Sequence, residues 1–175
     1  MEDEKKNPPP PHCYLLVVTC VVFRYHPRHG LQALLLKRSL CEKEGPGLWT
    51  VPGGKVDKKD HGVPLPGLSH TLFLGSLERA MAREILEETG IVLSEEEFTP
   101  LKNRNTVFIR QDGTPTMVLT YVAFCRSDVP VILDDGAVEY AWVLFEDLGK
   151  YHCIGNVKDD VIAAMREHMH KDGVG

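Results

Sequence analysis

Runs of apolar residues divide the chain into segments that predict a β-sheet. The segment over 14–24 is rich in valine and leucine, and a second apolar run at 32–37 follows a turn at 26–30, so two adjacent strands are expected. Asp112-Gly113 is a typical hairpin turn between two further runs. The predicted strands are 14–24, 32–37, 48–51, 106–110, 117–124 and 137–144.

Two segments have helical rather than alternating periodicity. Residues 76–89 predict a helix with Ser76 as its N-cap and Gly90 as its left-handed C-terminal cap. Apolar residues at helical spacing predict a second, C-terminal helix, at Val157, Val161, Ile162, Met165 and Met169. Strands on both sides of a central helix, followed by a closing helix, predict an α/β (α+β) fold in which helices flank a mixed sheet.

The length of 175 residues predicts one domain with a single core. Residues 1–12 include several charges and four consecutive prolines, which favours a flexible N-terminal arm before a domain over 13–175. Hydrophobic residues make up 43% of the chain and charged residues 26%, and this balance excludes a largely disordered protein.

Charge and cysteine content exclude several functional classes. The net charge of -5 provides no overall positive field, so general nucleic-acid binding is not expected. The longest apolar run, 14–23, is too short to cross a bilayer, so no membrane association is expected. The five cysteines are odd in number and widely spaced, which predicts reduced thiols and a cytoplasmic location.

A cluster of acidic residues lies within the predicted central helix. Glu84, Glu87 and Glu88 stand at positions i, i+3 and i+4, so they share one helix face. Like charges beside an apolar stripe raise one another's pKa values and oppose folding unless cations intervene. Oxygen ligands without a nearby cysteine or suitably spaced histidine point to Mg²⁺ or Mn²⁺. The alternative is an exposed acidic face on which Arg83 and Glu87 form an ion pair worth roughly 0.3 kcal/mol.

The residues around this cluster resemble a known motif. REILEETGI at 83–91, behind the Pro52-Gly53-Gly54 loop, is similar to the box of the Nudix (MutT-like) hydrolase family, G-x5-E-x7-R-E-U-x-E-E-x-G-U, where U is aliphatic. The second half of the box matches at every specified position, and the resemblance extends over 14–148. It implies a Nudix-type α/β/α sandwich that carries a divalent metal on the box helix.

The resemblance also implies roles for single residues. Glu84, Glu87 and Glu88 would hold the metal together with the backbone carbonyl of Gly53, and Arg83 would orient these acids. Other residues are candidates for substrate contacts or for an additional acid. Candidates for substrate binding are Arg38, Trp49 and Glu139, and candidates for an additional acid are Asp60 and Asp135.

The first half of the box departs from the family pattern. Gly54 lies 29 positions before Arg83 instead of 14, which implies an insertion at about 61–75. The missing glutamate falls on Asp60 when counted from Gly54, or on Gly75 when counted back from Arg83. Either Asp60 stands in for that glutamate or the acid is absent. The insertion is either a lid over the substrate or a surface loop without a role in binding.

The resemblance implies a pyrophosphohydrolase acting on a nucleoside diphosphate derivative. The family's signatures for ADP-ribose and dinucleoside polyphosphates are absent after the box, so a nucleoside triphosphate with a normal or oxidised base, cleaved to the monophosphate, is the default. The alternatives are an ADP-ribose or nucleotide-sugar pyrophosphatase and a catalytically silent Nudix-fold module that binds a nucleotide. The oligomeric state is open, a homodimer included.

Overall fold

The computed structural model describes residues 13–65 and 71–169 of the chain. Eight strands and two α-helices lie in these ranges, joined by loops that contain three 3₁₀ helices. The strands are β1 (Leu15–His26), β2 (Gly30–Arg38), β3 (Trp49–Thr50), β4 (Gly53–Lys55), β5 (Thr99–Pro100), β6 (Thr106–Ile109), β7 (Pro115–Phe124) and β8 (Ala137–Val143). The helices are α1 (Ser76–Thr89) and α2 (Val157–Met169). The N-terminal arm predicted over 1–12, and 66–70 of the predicted insertion, lie outside the described residues.

These strands form one mixed sheet, as predicted. Its main path is β3-β2-β1-β7-β5, with β8 paired to β2, β4 to β1 and β6 to β7. β1 and β7 run parallel, from Leu15 opposite Thr116 to Phe23 opposite Phe124, while the other pairs are antiparallel. β1 lies inside the sheet with both faces covered, which explains why its sequence is almost continuously apolar rather than alternating.

The two helices cover opposite faces of this sheet. Val22 of β1 packs in one buried cluster with Met81 of α1, whereas its neighbour Phe23 packs in a second cluster with Met165 of α2. Consecutive side chains of a strand point to opposite faces, so α1 and α2 lie on the two sides of β1. The predicted α/β/α sandwich is confirmed.

The ends of α1 differ in how well the sequence predicts them. Gly90 caps the C-terminus as expected, with φ of 69° and its N–H donating to the Leu86 carbonyl. The N-cap is Gly75 and not Ser76, so that prediction is wrong by one residue. Gly75 also has φ of 69°, because the chain enters the helix through a left-handed turn that glycine adopts without a Cβ penalty.

One guanidinium holds both ends of the insertion beside α1. Arg79 donates through Nε to the Asp60 carbonyl at 2.7 Å and through Nη2 to the carbonyls of His61, at 2.7 Å, and Leu74. The insertion therefore leaves and rejoins the core at the first turns of α1.

No helix within 13–65 and 71–169 is long and apolar enough to span a membrane. All five cysteines lie in this part of the chain and are free thiols. Cys20 is fully buried in β1, and burial raises the pKa of its thiol. The prediction of unpaired cysteines therefore agrees with the structure.

Candidate functional site

Two consecutive glycines of β4 bring the backbone against the acids of α1. A Cβ at Gly54 would lie only 2.3 Å from Cδ of Glu84. Gly53 donates its amide to Oε2 of Glu88 at 2.9 Å. Gly53 itself has φ of 151°, and a Cβ there would lie 2.2 Å from the Val18 carbonyl oxygen. Gly53 thus requires glycine, whereas a side chain at Gly54 would displace the Glu84 carboxylate, so the loop and helix meet in direct contact.

The box arginine holds the acidic side chains in place. Arg83 Nη1 donates to Oε1 of Glu84 at 2.7 Å and to Oε2 of Glu87 at 3.1 Å. Its Nη2 also donates to the Lys55 carbonyl, next to the glycine pair, at 3.0 Å. The Arg83 side chain is only 18% exposed, so it forms these bonds in a partly desolvated setting where they are strong.

Asp60 completes the surroundings of this arginine. Its two oxygens accept from Arg83 Nε at 2.8 Å and Nη2 at 2.9 Å, and one of them also accepts the Asp57 amide at 2.7 Å. The hydrogen bond from Arg83 holds the pKa of Asp60 below its usual range. Of the two positions that sequence counting offered, the structure places Asp60 against the arginine and Gly75 at the helix N-cap.

Glu88 is a partly buried acid of the box helix. Burial raises its pKa to about 8, and the negative charges of Glu84 and Asp134 act in the same direction. The Gly53 amide and the nearby Arg38 partly oppose this shift by stabilising the carboxylate. A buried carboxylate with like charges around it is a place where an added cation would be stabilising.

The donor chemistry of the cluster fits a hard divalent cation, since it offers carboxylate oxygens and no soft ligand. Among the residues that the structure describes, however, no three His, Cys, Asp or Glu side chains are arranged to hold a metal ion. The reason lies in the hydrogen bonds: Glu84 and Glu87 are drawn to Arg83, and Glu88 is held by Gly53. Glu87 is also half exposed and lies 3.4 Å from Lys59.

A cavity of about 490 Å³ opens beside these acids. Glu84, Glu88 and the glycine pair line one end, and Arg38 and Arg110 line it as well. The size is in the range of small-molecule sites. None of the described residues of the insertion, 61–65 and 71–75, lines it.

Two of the arginines that line the cavity, Arg38 and Arg110, are held by one loop between β2 and β3. Arg38, at the end of β2, donates to the Glu44 carbonyl at 2.7 Å and to Glu42 Oε2 at 2.6 Å. Arg110, just after β6, forms an ion pair with Glu44 at 2.9 Å. Glu44 therefore links two cationic side chains that line the cavity.

Five residues predicted from the sequence do not line the cavity. Asp60 and Glu87 lie beside Arg83, and the other three lie elsewhere. Trp49 contacts the Tyr151 ring edge-on at 4.9 Å and belongs to the core on the α2 side. Glu139 lies on β8 in a surface ion pair with Lys37 at 3.1 Å. Asp135 is exposed in the loop before β8. The structure brings none of them to the cavity.

Cavity residues without a site role predicted from the sequence include Phe108, Arg110 and Thr116. They lie on the hairpin of β6 and β7, where Phe108 pairs directly with Thr116. The sequence does indicate that Phe108 and Arg110 belong together, because residues two apart lie on the same side of a strand. No local signal showed that this side lines the same cavity as the acids.

The sequence over residues 14–165 matches the NUDIX domain family. The chain therefore belongs to the Nudix family, the pyrophosphohydrolase class that the REILEETGI segment implied, and members of this class use divalent metal ions. No curated protein sequence matches the chain closely enough to count as a relative.

Solved structures with a similar fold include three Nudix proteins. The NUDIX domain of Shewanella oneidensis NrtR, complexed with ADP ribose, is 22% identical with a TM-score of 0.67, covering 90% of this chain and 89% of that one. A MutT protein from Methanosarcina mazei Go1 is 24% identical with a TM-score of 0.61, covering 89% and 95%. A C. elegans Ap4A hydrolase is 20% identical with a TM-score of 0.63, covering 89% and 98%. At these identities the likeness shows the fold.

Proposed function

We propose that this protein hydrolyses the pyrophosphate bond of a nucleoside triphosphate, with a normal or an oxidised base, to the nucleoside monophosphate and pyrophosphate. The observation that carries the proposal is that Glu84 and Glu88 share one cavity with Arg38 and Arg110. Carboxylates suit a divalent cation, and guanidinium groups suit phosphate oxygens. The cavity thus offers both kinds of group that pyrophosphate cleavage needs.

The cation in this proposal is Mg²⁺, with Mn²⁺ as its substitute. Glu84, Glu87, Glu88 and the carbonyl of Gly53 would hold it. A bound divalent cation neutralises charge on phosphate oxygens and lowers the pKa of the water that attacks phosphorus. Arg83 keeps two of these carboxylates oriented through the hydrogen bonds from its Nη1.

The proton of the attacking water needs an acceptor near the scissile bond. Glu84 and Glu88 are the box acids that line the cavity, so we assign the acceptor to this pair. Asp135 and Glu139 lie outside the lining and are less suited to this role. Asp60 is bound on both oxygens and serves to fix Arg83.

Arg38 and Arg110 are proposed to bind the phosphates of the pyrophosphate leaving group. Their side chains are mostly buried, and the Glu44 segment holds both. A held guanidinium loses less conformational entropy when it binds a phosphate, so it binds more tightly than a free surface arginine. Substrate contacts by Trp49 and Glu139 stay predictions that would require movement toward the cavity.

Two alternatives have support of their own. An ADP-ribose or nucleotide-sugar substrate keeps the same scissile bond, and a structure of similar fold is complexed with ADP ribose. A silent module that binds nucleotides without hydrolysis is favoured by one observation, namely that the described acids are not arranged to hold a metal ion.

The cellular setting is part of the proposal. Five free cysteines, one of them fully buried, suit a reducing compartment, so we propose a cytoplasmic location. A nucleotide-type small molecule is the expected partner, and a homodimer stays a hypothesis that sedimentation would test.

The test is product analysis by chromatography and mass spectrometry with purified protein and Mg²⁺. The substrates are normal and oxidised nucleoside triphosphates, ADP-ribose, nucleotide sugars and dinucleoside polyphosphates. The proposal expects a nucleoside monophosphate from a triphosphate, no product after EDTA treatment and no product from Glu87→Gln/Glu88→Gln. Turnover of ADP-ribose or a nucleotide sugar alone would replace the substrate. Nucleotide binding without any turnover would favour the silent module.

A further inference from the structure

Four uncharged residues on one face of the sheet form part of the cavity wall. Val17 of β1 lies opposite Val118 of β7, and Phe108 of β6 lies opposite Thr116 of β7. All four side chains line the cavity. Directly opposed residues present their side chains on the same face of a sheet. We call Val17, Phe108, Thr116 and Val118 the sheet floor.

Thr116 is unusual among the polar residues of the fold. Its side-chain hydroxyl is buried and, within the part of the chain that the structure describes, is the one buried side-chain polar atom without a hydrogen-bond partner. The residue is 1% exposed. A buried hydroxyl without a partner destabilises a fold, so an orphaned group at a cavity wall suggests that a ligand supplies the partner.

Thr120 shows that the same strand can satisfy a buried threonine. It lies four residues further along β7, on the same face as Thr116, and it is 2% exposed. Its Oγ1 is hydrogen-bonded to Oγ1 of Thr19 at 3.2 Å. Thr120 does not line the cavity, whereas Thr116 does. The unpaired hydroxyl is therefore found at the cavity and the paired one outside it.

The chemistry of the sheet floor selects one kind of ligand group. Two valines and the ring of Phe108 suit a flat apolar surface, and Phe108 can stack against an aromatic ring. The Thr116 hydroxyl can donate or accept one hydrogen bond. A nucleobase combines these properties, since its faces are apolar and its edge carries donors and acceptors. Cations border the sheet floor, at Lys55 opposite Val17 and at Arg110, and they suit the phosphates of the same ligand rather than its base.

We propose that Thr116 determines specificity by hydrogen-bonding the edge of the substrate's base, which lies on the sheet floor. This inference rests on the proposed function, because it concerns the organic group attached to the same pyrophosphate. The base would be held by β1, β6 and β7 while the phosphates extend toward Glu84 and Glu88.

The test compares three variants of the full chain. Thr116→Val removes the hydroxyl and keeps the shape, Thr116→Ser keeps the hydroxyl, and Thr120→Val is the matched control. Isothermal titration measures the binding of α,β-methylene analogues of the four common nucleoside triphosphates and of 8-oxo-dGTP, with inorganic pyrophosphate and inositol hexakisphosphate as reference ligands. Thermal unfolding without ligand is measured in parallel.

The inference expects Thr116→Val to weaken binding of the preferred nucleotide about tenfold, the size of one hydrogen bond of 1.4 kcal/mol. Pyrophosphate binding should not change, and Thr116→Ser should restore most of the nucleotide affinity. The Tm of Thr116→Val should equal or exceed that of the wild type, because an unsatisfied hydroxyl is lost. Thr120→Val should lower the Tm and leave nucleotide affinity unchanged.

Several results would overturn the inference. One is an unchanged affinity of Thr116→Val for every nucleotide. Another is a loss of pyrophosphate affinity as large as the loss of nucleotide affinity. The third is wild-type protein that binds inositol hexakisphosphate more tightly than any nucleotide. Failure of the proposed function gives a different pattern. A wild-type protein that binds nucleotides through Thr116 but hydrolyses none would contradict the enzyme and support the role of Thr116.

Discussion

Asp60 and Arg83 form a doubly hydrogen-bonded ion pair at the start of the insertion, with 2.8 Å between Oδ1 and Nε and 2.9 Å between Oδ2 and Nη2. Asp60 is 3% exposed. The pair joins the loop after β4 to the box helix, and the same guanidinium orients two box acids. The position of the acidic cluster therefore depends on a residue that precedes the insertion.

Replacing Asp60 by asparagine should destabilise the protein strongly at neutral pH. Arg83 would keep its charge in a partly buried site without its main partner, which costs about 3 kcal/mol of unfolding free energy. Urea unfolding at pH 7 measures this loss. The matched control is Asp128→Asn, whose ion pair with Arg126 is exposed at both ends and should contribute less than about 0.5 kcal/mol.

The same pair predicts a pH dependence. The pKa of Asp60 is lowered in the folded protein, so its contribution is fully present above the ordinary aspartate pKa of about 4 and is lost as pH falls through the lowered value. The difference between wild type and Asp60→Asn should shrink below pH 4. An equal difference at pH 3 and pH 7 would show that charge pairing is not the cause.

Gly54→Ala should disturb the acidic cluster directly. The new Cβ would lie 2.3 Å from Cδ of Glu84, so the carboxylate must move. The carboxylate ends a flexible side chain, so the loss of stability should be small, but a displacement of about 1 Å in a catalytic group lowers turnover roughly 100-fold. Steady-state kinetics and thermal unfolding measure both effects. Gly149→Ala is the control, because nothing lies within 4 Å of its Cβ position. Normal turnover by Gly54→Ala would contradict the role of this contact.

Arg79→Met should loosen the insertion. The side chain holds three backbone carbonyls, those of Asp60, His61 and Leu74, and pairs with Glu95 at 3.3 Å. Losing these bonds should lower the unfolding free energy by about 2 kcal/mol. Hydrogen exchange should accelerate at 61–65 and 71–75 while the amides of β1 stay protected. Arg126→Met, at a side chain 82% exposed, serves as the control. Unchanged exchange in the insertion would show that other contacts hold it.

Local patterns predicted most of the fold correctly. α2, the β6–β7 hairpin and the Gly90 cap follow from helical spacing, a turn dipeptide and glycine's conformational freedom, all of which act over a few residues. The parallel pairing of β1 and β7 gives no such local signal, because the strands are distant in sequence. The sheet floor is formed by that pairing, so Thr116 could not be found from the sequence.

The insertion limited what could be predicted of the site. Spacing alone left the first box acid on either Asp60 or Gly75, since 15 extra residues separate the two counts. In the structure Arg79 holds the Asp60 carbonyl, Asp60 lies beside Arg83 and Gly75 is the N-cap of α1. That Asp60 stands in for the box glutamate stays a prediction. Trp49 was predicted to contact the substrate because it is an aromatic residue next to the glycine loop, but in the structure it packs against Tyr151.

The most direct test of the account is the turnover of Glu88→Gln at saturating nucleoside triphosphate and Mg²⁺. The substitution keeps the size of the side chain and its bond to Gly53 while it removes the charge at the cavity. Glu96→Gln, at an exposed acid outside the cavity, is the control. The account predicts that kcat falls about 100-fold or more in Glu88→Gln, with the fold intact, and is unchanged in Glu96→Gln. Equal turnover by Glu88→Gln and wild type would contradict the assignment of the active site.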